Sequence, residues 1–241
     1  MAIHYSGLIA LAGTLAILLA AGAVIGMADR RHFQPRWLIG AGLLVALNDA
    51  CLTRFYGLLP DLLGGEKNWQ GKLLALAATL IVAALPLFGW RRIGLTLRQA
   101  PGSLRAAALV SALYAGFFLL LALAFGAEPA RAEEIGFQLT LPGLEEEPFY
   151  RGLLLYALGQ AFTGRLRMLG VDWSWGALLS CLLFGLAHGF GYGASGFQVE
   201  PLILLLTALP ALLAVWLALR TQSMALPILL HNFGNAVSLI V

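Results

Sequence analysis

The 241-residue chain is 60% hydrophobic and only 11% charged, and its mean hydropathy is +0.85. This composition lies outside the range of ordinary soluble domains and predicts an all-α protein, a polytopic bundle of transmembrane helices. The net charge of +3 is small, and no basic patch lies outside the flanks of the apolar runs, which argues against a nucleic-acid partner.

Apolar runs of roughly 20 residues recur along the chain, and each is long enough to predict a membrane span. We count about eight, at residues 7–27, 37–57, 72–90, 106–126, 144–162, 173–190, 200–219 and 224–241. No polar block is long enough for a soluble domain. We therefore expect a single integral-membrane domain over 1–241, with N-terminal spans in 7–126 and a motif-bearing core in 144–241.

Basic residues on the links between these runs predict the orientation of the protein. Alternate links carry ten Lys and Arg residues on one side and three on the other. Because the richer links normally face the cytoplasm, both termini are expected outside. The richer links hold Arg30, Arg31, Arg36, Arg91, Arg92, Arg98, Arg105, Arg165, Arg167 and Arg220, and the poorer ones hold Lys67, Lys72 and Arg131.

Three consecutive carboxylates at 145–147 precede an arginine and an apolar helix. Ionisable groups at membrane depth are costly, which favours a functional site. Glu147 and Arg151 are four residues apart and share a helix face, whereas Glu146 points about 100° away. We therefore expect Arg151 to hold Glu147 and to leave Glu146 unpaired, an acid/base arrangement. The alternative is a charge cluster that caps the start of a helix.

Proline and glycine residues predict local backbone structure in the C-terminal half. Pro148 disfavours a helix interior, so the helix is expected to begin near Glu146 or Glu147. Gly185 and Gly189 indicate close helix packing, and the glycines that follow them indicate a flexible outer loop.

Histidines enter two later runs. His188 lies near the end of the sixth run, and His231 and Asn235 are four residues apart on one face of the eighth. Given the predicted directions of the spans, these side chains and Glu146 fall at the same depth, in the outer half of the membrane. A shared depth favours one polar site over scattered polar residues in the core.

Three motifs stand in a fixed order: Glu146-Glu147-x-x-x-Arg151, Phe184-x-x-x-His188 and His231-x-x-x-Asn235. Their order and spacing resemble the motifs of the CPBP family (CAAX protease and bacteriocin-processing, also called Abi) of intramembrane endopeptidases. The resemblance covers residues 144–241, and the first four runs carry none of it.

The resemblance implies roles for four catalytic residues. Glu146 would be the general base that activates water against a peptide carbonyl, and His188 would position that water. His231 and Asn235 would stabilise the tetrahedral oxyanion, a role that suits hydrogen-bond donors in a site of low dielectric.

The resemblance also implies that Glu147 and Arg151 form an orienting pair beneath the base. The family has been described both as metal-dependent and as glutamic proteases, and both chemistries stay open. In the metal-dependent form of the site, His188, His231 and Glu146 would hold zinc. In the glutamic form the site holds no metal or other cofactor, and this is the form that we expect.

For partners, the resemblance implies a protein or peptide substrate within the membrane, together with membrane lipids. The substrate classes are lipidated CAAX-like proteins and proteins with a C-terminal membrane anchor or sorting signal. The expected location is a bacterial inner (cytoplasmic) membrane. The rival from another class is a non-catalytic transporter, immunity protein or scaffold that uses the same polar cavity for binding.

Overall fold

The computed structural model describes residues 5–60, 62–126 and 130–241, and this part of the chain is mostly helical. The helices are α1 (Tyr5–Ala28), α2 (Pro35–Thr53), α3 (Trp69–Ala84), α4 (Leu104–Phe125), α5 (Ala132–Gln138), α6 (Leu141–Glu147), a π-helix (Pro148–Leu154), α7 (Leu155–Ala161), α8 (Trp175–Gly189), α9 (Pro201–Thr221) and α10 (Ala225–Val237). The strands are β1 (Leu166–Met168), β2 (Val171–Trp173), β3 (Phe190–Gly193) and β4 (Gly196–Val199).

All eight predicted runs contain helix. Within the described residues, four helices are long and apolar enough to cross a membrane, namely α1, α2, α4 and α9. The apolar helices α3 and α8 are shorter. A helical integral membrane protein is thus confirmed, whereas the number of eight spans stays a prediction.

The chain divides into two compact units, and the single-domain expectation stays a prediction. The first unit is Met1–Ala46 with Leu154–Val215, and the second is Leu47–Leu153 with Trp216–Val241. In the first unit, α8 packs against α1 and α7. Close approach there depends on glycine, because a Cβ at Gly176 would lie 2.4 Å from the backbone carbonyl of Leu158.

The expected close packing at Gly185 and Gly189 is confirmed in the first unit. A Cβ at Gly185 would lie 3.0 Å from the carbonyl oxygen of Leu204 on α9, and one at Gly189 would lie 2.8 Å from the Leu204 nitrogen. Backbone atoms cannot rotate away as a side chain can. Only glycine therefore allows α8 to lie this close to α9.

The flexible loop expected beyond Gly189 is wrong, because residues 190–199 form the antiparallel hairpin β3–β4. Alternating aromatic residues explain the difference. Phe190 stacks on Phe197 at 5.5 Å, and Tyr192 meets Phe197 edge-on at 5.1 Å. The hairpin also packs against α1 at Gly13, where a Cβ would lie 2.8 Å from the Phe197 ring.

In the second unit, α10 packs against α4, α5 and α6, and α3 packs against α6. Asn232 joins α10 to the start of α6. Its side-chain oxygen accepts a hydrogen bond from the Gly143 amide at 2.7 Å, and its side-chain nitrogen donates to the Thr140 carbonyl at 2.9 Å. These bonds fix the depth of α10 along α6.

The helix that carries the carboxylates begins at Leu141, so the expected start near Glu146 or Glu147 is wrong. Pro142 occupies its first turn, where a missing N–H has no cost. At Pro148 the helix widens into the π-helix Pro148–Leu154 instead of ending. The wider turn accommodates a proline that would clash within a regular α-helix, and such segments occur frequently at functional sites.

Candidate active site

The three consecutive carboxylates of α6 point in three directions within the second unit. Glu145 and Glu147 are fully buried, and the side chain of Glu146 is 12% exposed. Because successive helical residues are rotated by about 100°, the three side chains leave the helix in different directions. Neighbouring carboxylates nevertheless share a partner: Lys72 contacts Glu145 and Glu146, and His231 lies near Glu146 and Glu147.

Glu147 lies between an arginine and a histidine. Its Oε2 is 3.2 Å from the Arg151 Nε, and its Oε1 is 2.7 Å from the His231 Nδ1. The predicted Glu147–Arg151 pair is thus present, and it is almost completely buried. The hydrogen bond to His231 was not predicted from the sequence. It orients the imidazole ring, and because Glu147 accepts at Nδ1, it determines that Nδ1 carries a proton and that Nε2 faces away from Glu147.

Glu146 is not unpaired, contrary to the expectation from sequence. Its Oε1 forms a short ion pair with the Lys72 ammonium, and its Oε2 is 3.6 Å from the His231 Nε2. Lys72 was expected to be a flanking charge, which is also wrong. Its side chain is only 14% exposed, because it points from the first turns of α3 towards α6.

Glu145 completes a buried polar network that the sequence analysis did not identify. Its Oε2 is 2.7 Å from the Lys72 Nζ, and its Oε1 accepts a hydrogen bond from the Asn48 side chain at 2.8 Å. The signal in the sequence was weak: each partner is one polar residue near the end of an apolar run. Lys72 stands at the border between a link and an apolar run, where a lysine ordinarily marks only the end of a span.

Two tyrosines also lie near the cluster. Tyr114 on α4 interacts electrostatically with Glu147, Arg151 and Glu146. Tyr150 interacts with Glu146, Glu145 and Arg151. Tyr114 is buried and Tyr150 is half-buried, and their rings help to keep water away from the charges, which strengthens the interactions between them.

The two asparagines of α10 have different partners. Asn235, the predicted oxyanion donor, donates its side-chain amide to the Gln138 side chain on α5 at 3.1 Å. Asn232, which was not singled out in the sequence, makes the bonds to the start of α6. Asn235 is one helical turn beyond His231 and partly exposed, so its amide is accessible for exchange with another acceptor.

His188, the remaining predicted catalytic residue, belongs to the first unit. Its Nδ1 is 2.8 Å from the Phe184 carbonyl oxygen, one turn earlier on α8. A carbonyl oxygen can only accept, so Nδ1 carries the proton and donates. In the neutral ring the lone pair is therefore on Nε2, which suits acceptance of a hydrogen bond from water.

A metal requires ligands that converge. Within the described residues, no group of three or more His, Cys, Asp or Glu side chains is arranged to hold a metal ion. His188 belongs to the first unit and both His231 and Glu146 belong to the second, so the zinc form and the metal-free form both stay predictions. The two cysteines, Cys51 and Cys181, are both buried.

The family model described as "Type II CAAX prenyl endopeptidase Rce1-like" matches residues 117–237, which is half of the chain. The matched region contains the three motifs recognised in the sequence, whereas Asn48 and Lys72 precede it. Neither the curated proteins nor the solved structures contain a match.

Proposed function

The chain belongs to the Rce1-like family of type II CAAX prenyl endopeptidases, a protease family, and from this premise we propose that it is an intramembrane endopeptidase that uses water activated by Glu146. The observation that carries the proposal is the Glu146–His231–Glu147 array. His231 has a carboxylate near each ring nitrogen, at 3.6 Å from Nε2 and at 2.7 Å from Nδ1.

The first step is the attack of water on the peptide carbonyl. The 3.6 Å between Glu146 Oε2 and His231 Nε2 exceeds a hydrogen bond, but a water about 2.8 Å from both atoms forms a triangle with them. Glu146 takes a proton from this water while its oxygen bonds to the carbonyl carbon. In the second step Glu146 returns the proton to the amide nitrogen and the C–N bond breaks, which gives a carboxylic acid and an amine; the acid then passes its proton to the amine.

His231 can stabilise the oxyanion only when Nε2 carries a proton, which requires the imidazolium form. Glu147 accepts from Nδ1, and Glu146 Oε2 lies 3.6 Å from Nε2, so a carboxylate is near each end of the ring. Asn235 would join as a second donor by exchanging its bond with Gln138. The role of His188 in positioning the water rests on the family resemblance.

We further propose that the substrate is a membrane-associated protein or peptide, with lipidated CAAX-like sequences as the leading class. The support is the family description together with a site formed by helices of an integral membrane protein. Substrates with a C-terminal membrane anchor are the second class. A bacterial inner membrane stays the expected location.

The experiment uses purified protein in liposomes and a farnesylated peptide that ends in a CAAX sequence, with the unfarnesylated peptide in parallel. We expect mass spectrometry to show one internal cut of the farnesylated peptide and slower cutting of the other. Exhaustive chelation is expected to leave the rate unchanged. His231→Ala protein is the inactive control.

Activity that is lost on chelation and restored by zinc would contradict the metal-free mechanism and make His188, His231 and Glu146 ligands. Equal cutting of both peptides would contradict a lipidated substrate class. If His231→Ala cuts as fast as the wild type, the array is not the site of hydrolysis.

A further inference from the structure

The two carboxylate oxygens of Glu146 have different neighbours, and only one of them contacts Lys72. Lys72 contacts Oε1, whereas Oε2 is the atom nearest to His231. A base that activates water requires one oxygen directed at the reacting water and a fixed rotation of the carboxylate. A cation held on the opposite oxygen sets this rotation.

Lys72 can act in this way only if the lysine itself is immobile. Its ammonium also contacts Glu145 Oε2 at 2.7 Å, and Glu145 is in turn fixed by Asn48 at 2.8 Å. Glu145 is fully buried, so its charge cannot be screened by solvent. The network Asn48–Glu145–Lys72 therefore holds the Lys72 ammonium in place against Glu146 Oε1.

The simpler alternative is that Lys72 only neutralises buried carboxylates. A buried charge without a partner is strongly destabilising, so a stabilising contribution is expected in any case. Neutralisation and positioning differ in one respect. If Glu145 is made neutral when Lys72 is removed, the charge balance is restored but the contact with Glu146 Oε1 is not.

We propose that Lys72 is a positioning residue for the general base, held in place by Glu145 and Asn48. The inference rests on the proposed role of Glu146 in hydrolysis. All three residues of the network act through Glu146 and none is assigned contact with the substrate. Lys72 and Asn48 lie on α3 and α2, before the region that matches the family, residues 117–237.

The test compares Lys72→Met with the double variant Lys72→Met/Glu145→Gln in liposomes, using the farnesylated peptide. Thermal unfolding and the separate values of kcat and KM are measured for each. Lys67→Met is the matched control, because Lys67 also pairs with a glutamate, Glu134, but both side chains are about a third exposed. Glu146→Gln is included to measure the activity that remains when the general base is removed.

We expect Lys72→Met to lower the melting temperature and the double variant to recover most of it. In both, kcat is expected to fall by about 10- to 100-fold with little change in KM, since a misplaced catalytic group affects the transition state more than substrate binding. Lys67→Met is expected to keep wild-type kcat.

Recovery of both stability and kcat in the double variant would overturn the inference and leave only neutralisation. Wild-type kcat in Lys72→Met, with Glu146→Gln inactive, would overturn it as well while the proposed function stands. Wild-type kcat in Glu146→Gln would instead remove the proposed base, and the inference about Lys72 would fail with it.

Discussion

Purified Glu146→Gln protein is expected to lose hydrolysis of the farnesylated peptide by about 10²–10⁴-fold, the usual contribution of a general acid–base group. The amide has the shape of the carboxylate but cannot accept the proton from water. Its carbonyl oxygen can still accept a hydrogen bond from Lys72, and Lys72 keeps its contact with Glu145. The variant is therefore expected to insert into membranes and to melt close to the wild type.

The control for this variant is Glu134→Gln, which removes a partly exposed carboxylate that pairs with Lys67 in the second unit. It is expected to retain full activity. A Glu146→Gln protein that cleaves the peptide at the wild-type rate would contradict the assignment of the base. A large loss of stability in the same variant would mean that its inactivity has a structural cause.

Glu147→Ala and Arg151→Ala are expected to lower both stability and activity. The side chains are 1% and 3% exposed, and removal of one member of a buried ion pair typically costs about 3–5 kcal/mol. Glu147→Ala also deprives His231 of its hydrogen-bond acceptor at 2.7 Å, so the ring loses its orientation. The free energy of unfolding in detergent and the rate on the farnesylated peptide measure the two effects.

The matched control for this pair is Arg167→Ala, which breaks an ion pair of similar length, 3.0 Å, between the exposed side chains of Arg167 and Asp172 in the first unit. Surface ion pairs contribute about 0–1 kcal/mol, so this variant is expected to unfold almost as the wild type does. If Glu147→Ala and Arg151→Ala have the same free energy of unfolding as Arg167→Ala, the buried pair does not stabilise the protein as we propose.

The sequence was sufficient to predict features that depend on local spacing. Hydrophobic runs located the helices, a separation of four residues predicted the Glu147–Arg151 pair, and Gly185 and Gly189 predicted close helix packing, without indicating which helix is the partner. Each follows from helix geometry within a single element or from the small size of glycine.

Features that depend on how separate helices meet could not be predicted in this way. Lys72 and Glu146 are 74 residues apart, and Asn48 and Glu145 are 97 apart. Their contacts depend on the rotation and depth of three helices, which no periodicity within one helix determines. The same limit explains why Glu146 was expected to be unpaired.

The π-helix was not predicted for a different reason. Pro148 signals that a regular α-helix is disfavoured, but a proline is compatible with a break, a kink or a widened turn. The surrounding packing selects among these. Arg151 lies in the widened segment and still reaches Glu147 in the last turn of α6.

The most direct test of the central claim, attack by a water that Glu146 activates, is the oxygen isotope in the product after one turnover. Wild-type protein in excess over the farnesylated peptide is incubated in ¹⁸O-labelled water, and the new C-terminal carboxylate is analysed by mass spectrometry. Direct attack by water places one ¹⁸O in every product molecule. Product without ¹⁸O in the first turnover would contradict the account, because that oxygen would then have come from a carboxylate of the protein through a covalent anhydride.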